Sequence, residues 1–254
     1  MTKNIYYRTV IQRNSMLKSQ VQALSSWAVS YPRLVLEVFI RKNFGERYFF
    51  MPTAIIVFLI LVLIPLGSSW AEIAYTRNFP LGILWGKFTL WYAFAGAFLY
   101  FSILRNREIA KNPSVYDFKK FSLYQGDINP VFVKFRKTEG EPDWRKIETM
   151  YEPAPFLAAG IILWLIGQPL GILLFVCGIM YSGGYSLAYL QGDHFIMDKI
   201  DEILMNEELE EVFVDGKDPK DARGVRFQGK KPIGEDMRRK VAEMFTEEET
   251  VVAR

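Results

Sequence analysis

Charged residues are missing from a long stretch in the second half of the chain. The forty residues from Pro153 to Gly192 include no Asp, Glu, Lys or Arg. A helix needs about 20 apolar residues to cross the roughly 30 Å of bilayer hydrocarbon, so this stretch predicts two crossings. Segment 167–171 predicts the turn between them, because its Gly and Pro residues favour a break. The alternative is one tilted crossing with an interfacial piece, in which the amide of Gln168 would be buried.

Two earlier stretches show the same pattern. Residues 48–71 and 88–104 carry no charge. They predict a first crossing at 49–66 and a second at 81–104, because a helix in lipid satisfies its backbone internally and can be apolar on all sides. Small residues in the second crossing and in the hairpin predict where the helices pack closely against a neighbour. The positions are Gly82, Gly86, Gly183 and Gly184.

Basic and aromatic residues flank the first crossing. The sequence from Arg33 to Phe44 predicts a short helix that cannot span a bilayer. Arg41 and Lys42 at its end, with Arg47 beyond, predict a position among the lipid headgroups. The alternative is that this helix packs against the protein's own cytoplasmic part. Trp70, after the first crossing, is predicted to lie in the interfacial aromatic belt.

The remaining segments predict short helices and strands. Pro32 is expected to end a helix over 16–30, because proline removes a backbone donor. Apolar β-branched and aromatic residues predict strands at 131–136 and 212–214. Apolar residues at helical spacing predict an amphipathic helix over 195–205 and a last helix over 235–245.

Lys and Arg are concentrated at one end of the predicted crossings. Eight precede the first crossing, and Arg105, Arg107 and Lys111 follow the second. The positive-inside rule therefore places the amino terminus and residues 105–152 in the cytoplasm. A hairpin that crosses twice returns the carboxyl terminus to the same side.

The sequence thus predicts an all-α integral membrane protein with about four transmembrane helices and small cytoplasmic segments of helix with some strand. Its five segments are a basic arm at 1–47, two crossings at 48–104, a cytoplasmic loop at 105–152, the helical hairpin at 153–192 and a cytoplasmic carboxyl-terminal segment at 193–254.

The composition of the chain bears on its predicted location and on the partners it is expected to have. Residues 1–36 are basic and contain no acid, which resembles a mitochondrial presequence; the positive-inside bias of a bacterial cytoplasmic membrane produces the same pattern and is preferred. The net charge of +3 predicts no nucleic-acid partner. Cys177 is the single cysteine, so no disulfide is expected within the chain.

One pair of residues suggests chemistry. His194 and Asp198 are four apart, so on a helix they share a face and could hold a divalent ion. His194 is the only histidine, however, and acidic residues are also favoured at the start of a helix by its dipole. We therefore expect no catalytic residue, cofactor or metal.

The expected function follows from this absence. The sequence favours a non-enzymatic subunit of a larger membrane assembly, whose partners are the lipid bilayer and other membrane subunits. Secretion and conjugation machines provide an analogy for such a subunit. The alternatives are a small transporter or channel subunit and a membrane-surface metal-dependent enzyme built around His194.

Overall fold

The computed structural model describes residues 2–11, 16–68, 81–111, 116, 118–134 and 142–248. The chain is mostly helical and forms two compact units. The larger unit is Gln22–Ala188, and the smaller unit combines Met1–Val21 with Tyr189–Arg254.

Eight α-helices are described, and they are numbered here in chain order. They are α1 Met16–Ile40, α2 Met51–Ser68, α3 Leu81–Lys111, α4 Pro130–Lys134, α5 Trp144–Lys146, α6 Ala154–Leu165, α7 Pro169–Val214 and α8 Glu235–Ala242. Turns of π-helix cover Tyr7–Ile11 and Ile147–Tyr151, and a 3₁₀ turn covers Glu243–Phe245. Strands β1 Thr2–Asn4 and β2 Thr246–Glu248 pair antiparallel.

Two of the described helices are long and apolar enough to cross a membrane. They are Gly86–Lys111, which is most of α3, and α7. The apolar helix α2 has 18 residues and is about 27 Å long at 1.5 Å per residue. With 12 residues, α6 is about 18 Å long. The predicted mostly helical fold is therefore confirmed, and two of the described helices are long and apolar enough to span a membrane.

The helices α6 and α7 form the hairpin, and backbone contact holds it together. The turn between them contains Gly167, whose φ of +80° strains any residue with a side chain. A Cβ on Gly160 would lie 2.8 Å from Phe175 N, and one on Gly171 would collide with Trp164 N. These two glycines therefore let the two backbones meet directly.

Helix α1 continues through Pro32, where the sequence predicted its end. Five apolar residues follow the proline and are buried, namely Leu34, Val35, Leu36, Val38 and Ile40. Their burial against α2, α3 and α7 outweighs the backbone hydrogen bond that proline removes.

The strand predicted at 212–214 is wrong, and so is the one predicted at 131–136 over residues 131–134; residues 135 and 136 lie outside the described residues. Residues 131–134 belong to α4, where Pro130 suits the first helical position and the Asn129 side chain accepts from Val131 N at 3.1 Å. Residues 212–214 instead end α7, because tertiary packing overrides β-propensity there. The prediction of a helix over 195–205 is confirmed, but these residues are an interior part of the longer helix α7.

The smaller unit has its own small core. The side chains of Tyr7, Met205, Leu209, Val212, Ala222 and Val225 are buried together. Phe213 packs against the rings of Phe227 and Phe245, with ring centroids 4.6 and 5.0 Å away. The first and last described residues meet in this unit, where Thr2 pairs with Glu248.

Candidate functional site: a buried charged network

Arg33 and Glu37 of α1 form one ladder with Arg41, which directly follows the helix and whose backbone N–H donates to Glu37 O at 2.8 Å. Arg33, Glu37 and Arg41 follow one another at intervals of four, so they lie on one face of the helix. Tyr181 and Tyr185, also four apart, extend from α7 toward this face. The five side chains belong to the larger unit, and we call them, with Tyr48, Glu148 and Glu152, the charged network.

Glu37 is the centre of one half of the network, in which it contacts Arg33, Tyr48 and Tyr185. It is 2% exposed. Its carboxylate accepts hydrogen bonds from the hydroxyls of Tyr48 at 2.8 Å and Tyr185 at 2.8 Å. Arg33 Nε lies 2.9 Å from Glu37 Oε1, and Arg33 Nη2 donates to Tyr48 at 2.8 Å. A buried carboxylate needs such compensation to remain inside a protein.

Arg41 is the centre of the other half, which also contains Glu148, Glu152 and Tyr181. It is 1% exposed, and it donates from Nε to Glu152 Oε1 at 3.2 Å and from Nη2 to Glu152 Oε2 at 2.5 Å. Nη2 also donates to Glu148 Oε1 at 2.9 Å. Tyr181 donates to Glu152 Oε2 at 2.6 Å. The segment before α6 is therefore joined to α1 and α7 by charge-assisted bonds, the strongest class of hydrogen bond in proteins.

The ring of Tyr185 connects the two halves. The guanidinium carbons of Arg33 and Arg41 lie 4.8 and 4.5 Å from its centroid. Both distances are within the range of cation–π attraction, which is strongest where water is excluded. One tyrosine thus contacts both arginines with its ring and Glu37 with its hydroxyl.

Outside α7, burial raises the pKa of two members of the charged network, the Tyr48 hydroxyl and the Glu152 carboxyl. Burial raises the pKa of the Tyr48 hydroxyl, and the carboxylate of Glu37 raises it further, so this hydroxyl stays protonated and donates. Burial also raises the pKa of the Glu152 carboxyl, against the opposing effect of Arg41. With every carboxylate ionised, two arginines face three acids, so a proton on Glu152 would make the network neutral.

The predicted headgroup residues have different surroundings. Arg41 lies inside the larger unit rather than at a lipid surface, because Glu148 and Glu152 pair with it there. Lys42 is exposed, and its backbone bridges to Asp127. Arg47 is exposed. Trp70 lies outside the described residues.

The predicted packing glycines also differ from one another. A Cβ on Gly184 would lie 2.6 Å from Val29 Cγ1, so α1 and α7 meet closely there. A Cβ on Gly86 or Gly183 would meet nothing within 4 Å. Gly82 is in α3, at a position whose side-chain surroundings are outside the described residues.

His194 and Asp198 lie in α7 within the smaller unit, and both are partly exposed. Within the described ranges, no group of three or more His, Cys, Asp or Glu side chains could hold a metal ion. Asp198 instead faces Tyr7, and burial together with this and nearby acids raises the pKa of Tyr7 to about 12. Close by, Glu202 pairs with Arg8 at 3.0 Å and Lys199 at 2.8 Å.

Of the eight members of the network, sequence reasoning singled out only Arg41. It missed Arg33, Glu37, Tyr48, Glu148, Glu152, Tyr181 and Tyr185. One signal was available, since charges of alternating sign at intervals of four interrupt the apolar sequence of α1. In the pairs Arg41–Glu152 and Glu37–Tyr185, however, the two residues are more than 100 positions apart in the sequence. Spacing along one helix carries no information about such pairs.

No protein-family model, curated protein or solved structure matches this chain. The network must therefore be interpreted from its own chemistry. Its arginines, carboxylates and hydroxyls are paired with one another. This pairing suits a fixed joint between α1, α7 and the segment before α6.

Proposed function

We propose that this chain is a four-crossing integral membrane protein that acts as a non-enzymatic subunit of a larger membrane assembly. The observation that carries the proposal is the large apolar surface of its helices that this chain leaves uncovered. Soluble monomers rarely expose contiguous apolar patches of more than a few hundred square ångströms. Lipid and other subunits are the partners that would cover such a surface.

Helix α2 is the clearest case. Six of its large apolar side chains are between 42% and 59% exposed: Ile55, Ile56, Leu59, Ile60, Leu63 and Ile64. The inner side of the helix buries Ala54, Val57 and Leu61. The helix is thus apolar both where it packs inward and where it faces outward, as lipid-facing helices are.

Helix α6 supports the same interpretation. At its end and in the following turn, five large apolar side chains are exposed: Ile161, Ile162, Trp164, Leu165 and Ile166. Because α6 is about 18 Å long and the hydrocarbon is about 30 Å thick, a crossing here requires the bilayer to thin locally or the flanking residues to reach the headgroups. Glu148 and Glu152, which precede α6, are both paired with Arg41.

In the proposed topology, α2, α3, α6 and the first half of α7 cross the membrane, with both termini in the cytoplasm. The distribution of Lys and Arg supports this orientation, and a bacterial cytoplasmic membrane is the location we prefer. Secretion and conjugation machines remain analogies for the assembly.

A transport role is the second candidate. The buried carboxylates of Glu37, on α1, and Glu152, just before α6, favour it, because ionisable groups buried in membrane proteins often mark ion or proton pathways. Proton flux into liposomes holding the purified chain would support this role. Flux that is unchanged by Glu152→Gln would count against it.

The subunit proposal is tested by fractionation and mass. After a carbonate wash, the full-length chain should stay in the membrane pellet and be released only by detergent. Extracted gently from its own cells, it should elute in a complex larger than its 29.5 kDa plus detergent. Release without detergent would contradict the membrane location, and a monomer in every mild detergent would contradict the subunit role.

A further inference from the structure

A cavity of about 480 Å³ lies beside the charged network, between α1 and the start of α2. This volume is within the range of small-molecule sites. Its lining belongs entirely to the larger unit and consists of Ser30, Tyr31, Arg33, Leu34, Glu37, Arg47, Tyr48, Phe50 and Thr53.

The residues that line the cavity carry a net charge of +1, because they include Arg33 and Arg47 but only one acid, Glu37. Arg33 is balanced by Glu37, since Arg33 Nε lies 2.9 Å from the carboxylate. The carboxylate of Glu37 is further occupied by the hydroxyls of Tyr48 and Tyr185. Arg47 is exposed and forms no ion pair with any residue that the structure describes. The cavity therefore presents the guanidinium of Arg47 to a ligand, together with neutral hydroxyl groups.

The mouth of the cavity adjoins an apolar helix face. Phe50, on the cavity wall, is 61% exposed. Thr53, Ile56 and Ile60 follow at spacings of three and four, so they share a face of α2. Ile56 and Ile60 are both more than half exposed. A ligand that fits this surface has a small anionic group at one end and long apolar chains at the other.

We propose that this cavity binds the phosphate of an anionic phospholipid, with the acyl chains along the Thr53–Ile60 face of α2. This inference rests on the membrane location proposed above. The guanidinium of Arg47, which has no ion pair among the described residues, matches the single negative charge of a phosphodiester, and guanidinium groups bind phosphate oxygens in a bidentate geometry. A zwitterionic lipid adds a cation for which the already paired Glu37 offers no free oxygen.

Lipid retention tests the proposal directly. The full-length chain in detergent micelles is mixed with phosphatidylglycerol or phosphatidylcholine, and bound lipid is counted by native mass spectrometry. We expect retained phosphatidylglycerol in the wild type and about tenfold weaker retention in Arg47→Gln, as for the loss of one charge-assisted contact. The control is Arg107→Gln, which removes an arginine that is also exposed but lies outside the cavity, and this variant should retain lipid like the wild type.

Further arms separate the possible ligands. Thr53→Trp fills the cavity without removing a charge, so it should also weaken retention. Inorganic phosphate should not raise the melting temperature at concentrations where phosphatidylglycerol does. An equal rise with phosphate would overturn the lipid in favour of a free anion, and equal retention of the two lipids would overturn the charge argument.

The outcome for this site is distinguishable from that for the membrane proposal. A chain that needs detergent, yet retains phosphatidylglycerol equally well with Arg47→Gln, would overturn only the cavity assignment. A chain that is freely soluble in buffer would overturn both. Unchanged helicity by circular dichroism in Arg47→Gln would show that weaker retention is not caused by misfolding.

Discussion

Arg41 and Glu152, which are 111 residues apart in the chain, form a two-point ion pair from which water is excluded. Arg41 is 1% exposed and Glu152 is fully buried. The pair joins the end of α1 to the segment that leads into the hairpin of α6 and α7. Such a pair fixes how elements fit together, whereas its net contribution to stability is small when both partners are present.

Removing one partner alone should be costly. Arg41→Gln leaves the buried Glu152 and the partly exposed Glu148 without their cation, so we expect a loss of roughly 3–5 kcal/mol in the free energy of unfolding. Thermal unfolding in detergent micelles measures this as a lower midpoint. Arg107→Gln, at an exposed position, should change stability by less than about 0.5 kcal/mol.

A double variant separates charge from packing. Arg41→Met combined with Glu152→Met removes both charges and should recover part of the stability lost in Arg41→Gln. Equal stability of Arg41→Gln and the wild type would show that Arg41 is solvated and that the pair does not form.

The contact at Gly184 should tolerate no side chain. Gly184→Ala places a methyl group against Val29, whose branched side chain cannot move away easily, so we expect a loss of about 1–3 kcal/mol. Gly183→Ala is the matched control, because its methyl group would meet nothing within 4 Å and alanine favours the helix by up to about 1 kcal/mol. Chemical denaturation in micelles compares the two. Adding Val29→Ala should restore Gly184→Ala, and a failure to do so would contradict the close approach of α1 and α7.

Tyr185 should contribute through both its hydroxyl and its ring. Tyr185→Phe removes one hydrogen bond to the Glu37 carboxylate and should cost about 1.5–3 kcal/mol. Tyr185→Leu also removes the ring that contacts both arginines and should cost more. Melting midpoints in the same detergent rank the variants. If the two substitutions have equal effects, the ring contacts contribute nothing.

The smaller unit should lose a stabilising contribution at low pH. The hydrogen bond from Lys199 lowers the pKa of Glu202 from 4.5 to about 2, with a lesser contribution from the Arg8 hydrogen bond and against the opposing effect of burial. Because the folded pKa is lowered, this contribution is full above about pH 4.5 and is lost as the pH falls toward 2. Hydrogen exchange of residues 199–214 should therefore be faster in Glu202→Gln than in the wild type at pH 6.

The same comparison should give no difference near pH 2. Glu210→Gln, which changes an exposed acid on the same helix, is the control and should match the wild type at both pH values. A difference between Glu202→Gln and the wild type that is independent of pH would contradict the ionised pairing of Glu202.

The helical character of the larger unit could be predicted because it depends on local chain properties. Charge-free runs identify apolar helices by length alone, and the glycines and proline of 167–171 mark the hairpin turn by their backbone preferences. The helix end predicted at Pro32 was wrong, because the continuation of α1 does not depend on local chain properties alone. The local cost of Pro32 is real, but burial of Leu34–Ile40 outweighs it, and burial depends on residues distant in sequence.

The charged network shows the same limit more sharply. A basic residue just before a membrane helix is usually found among headgroups, so the sequence favoured that position for Arg41. Its actual partners, Glu148 and Glu152, lie in a segment that local composition marked as a cytoplasmic loop. Only the packing of α1 against the base of the hairpin brings these three residues together.

The membrane topology is tested most directly by labelling single cysteines in intact cells. Cys177 is buried, so Cys177→Ala supplies a background into which Gln168→Cys, in the hairpin turn, and Glu210→Cys, in the carboxyl-terminal segment, are introduced separately. With a maleimide that cannot cross membranes, the account predicts labelling of Gln168→Cys in intact cells and of Glu210→Cys only after the cells are opened. Labelling of both positions from the same side of the membrane would contradict it.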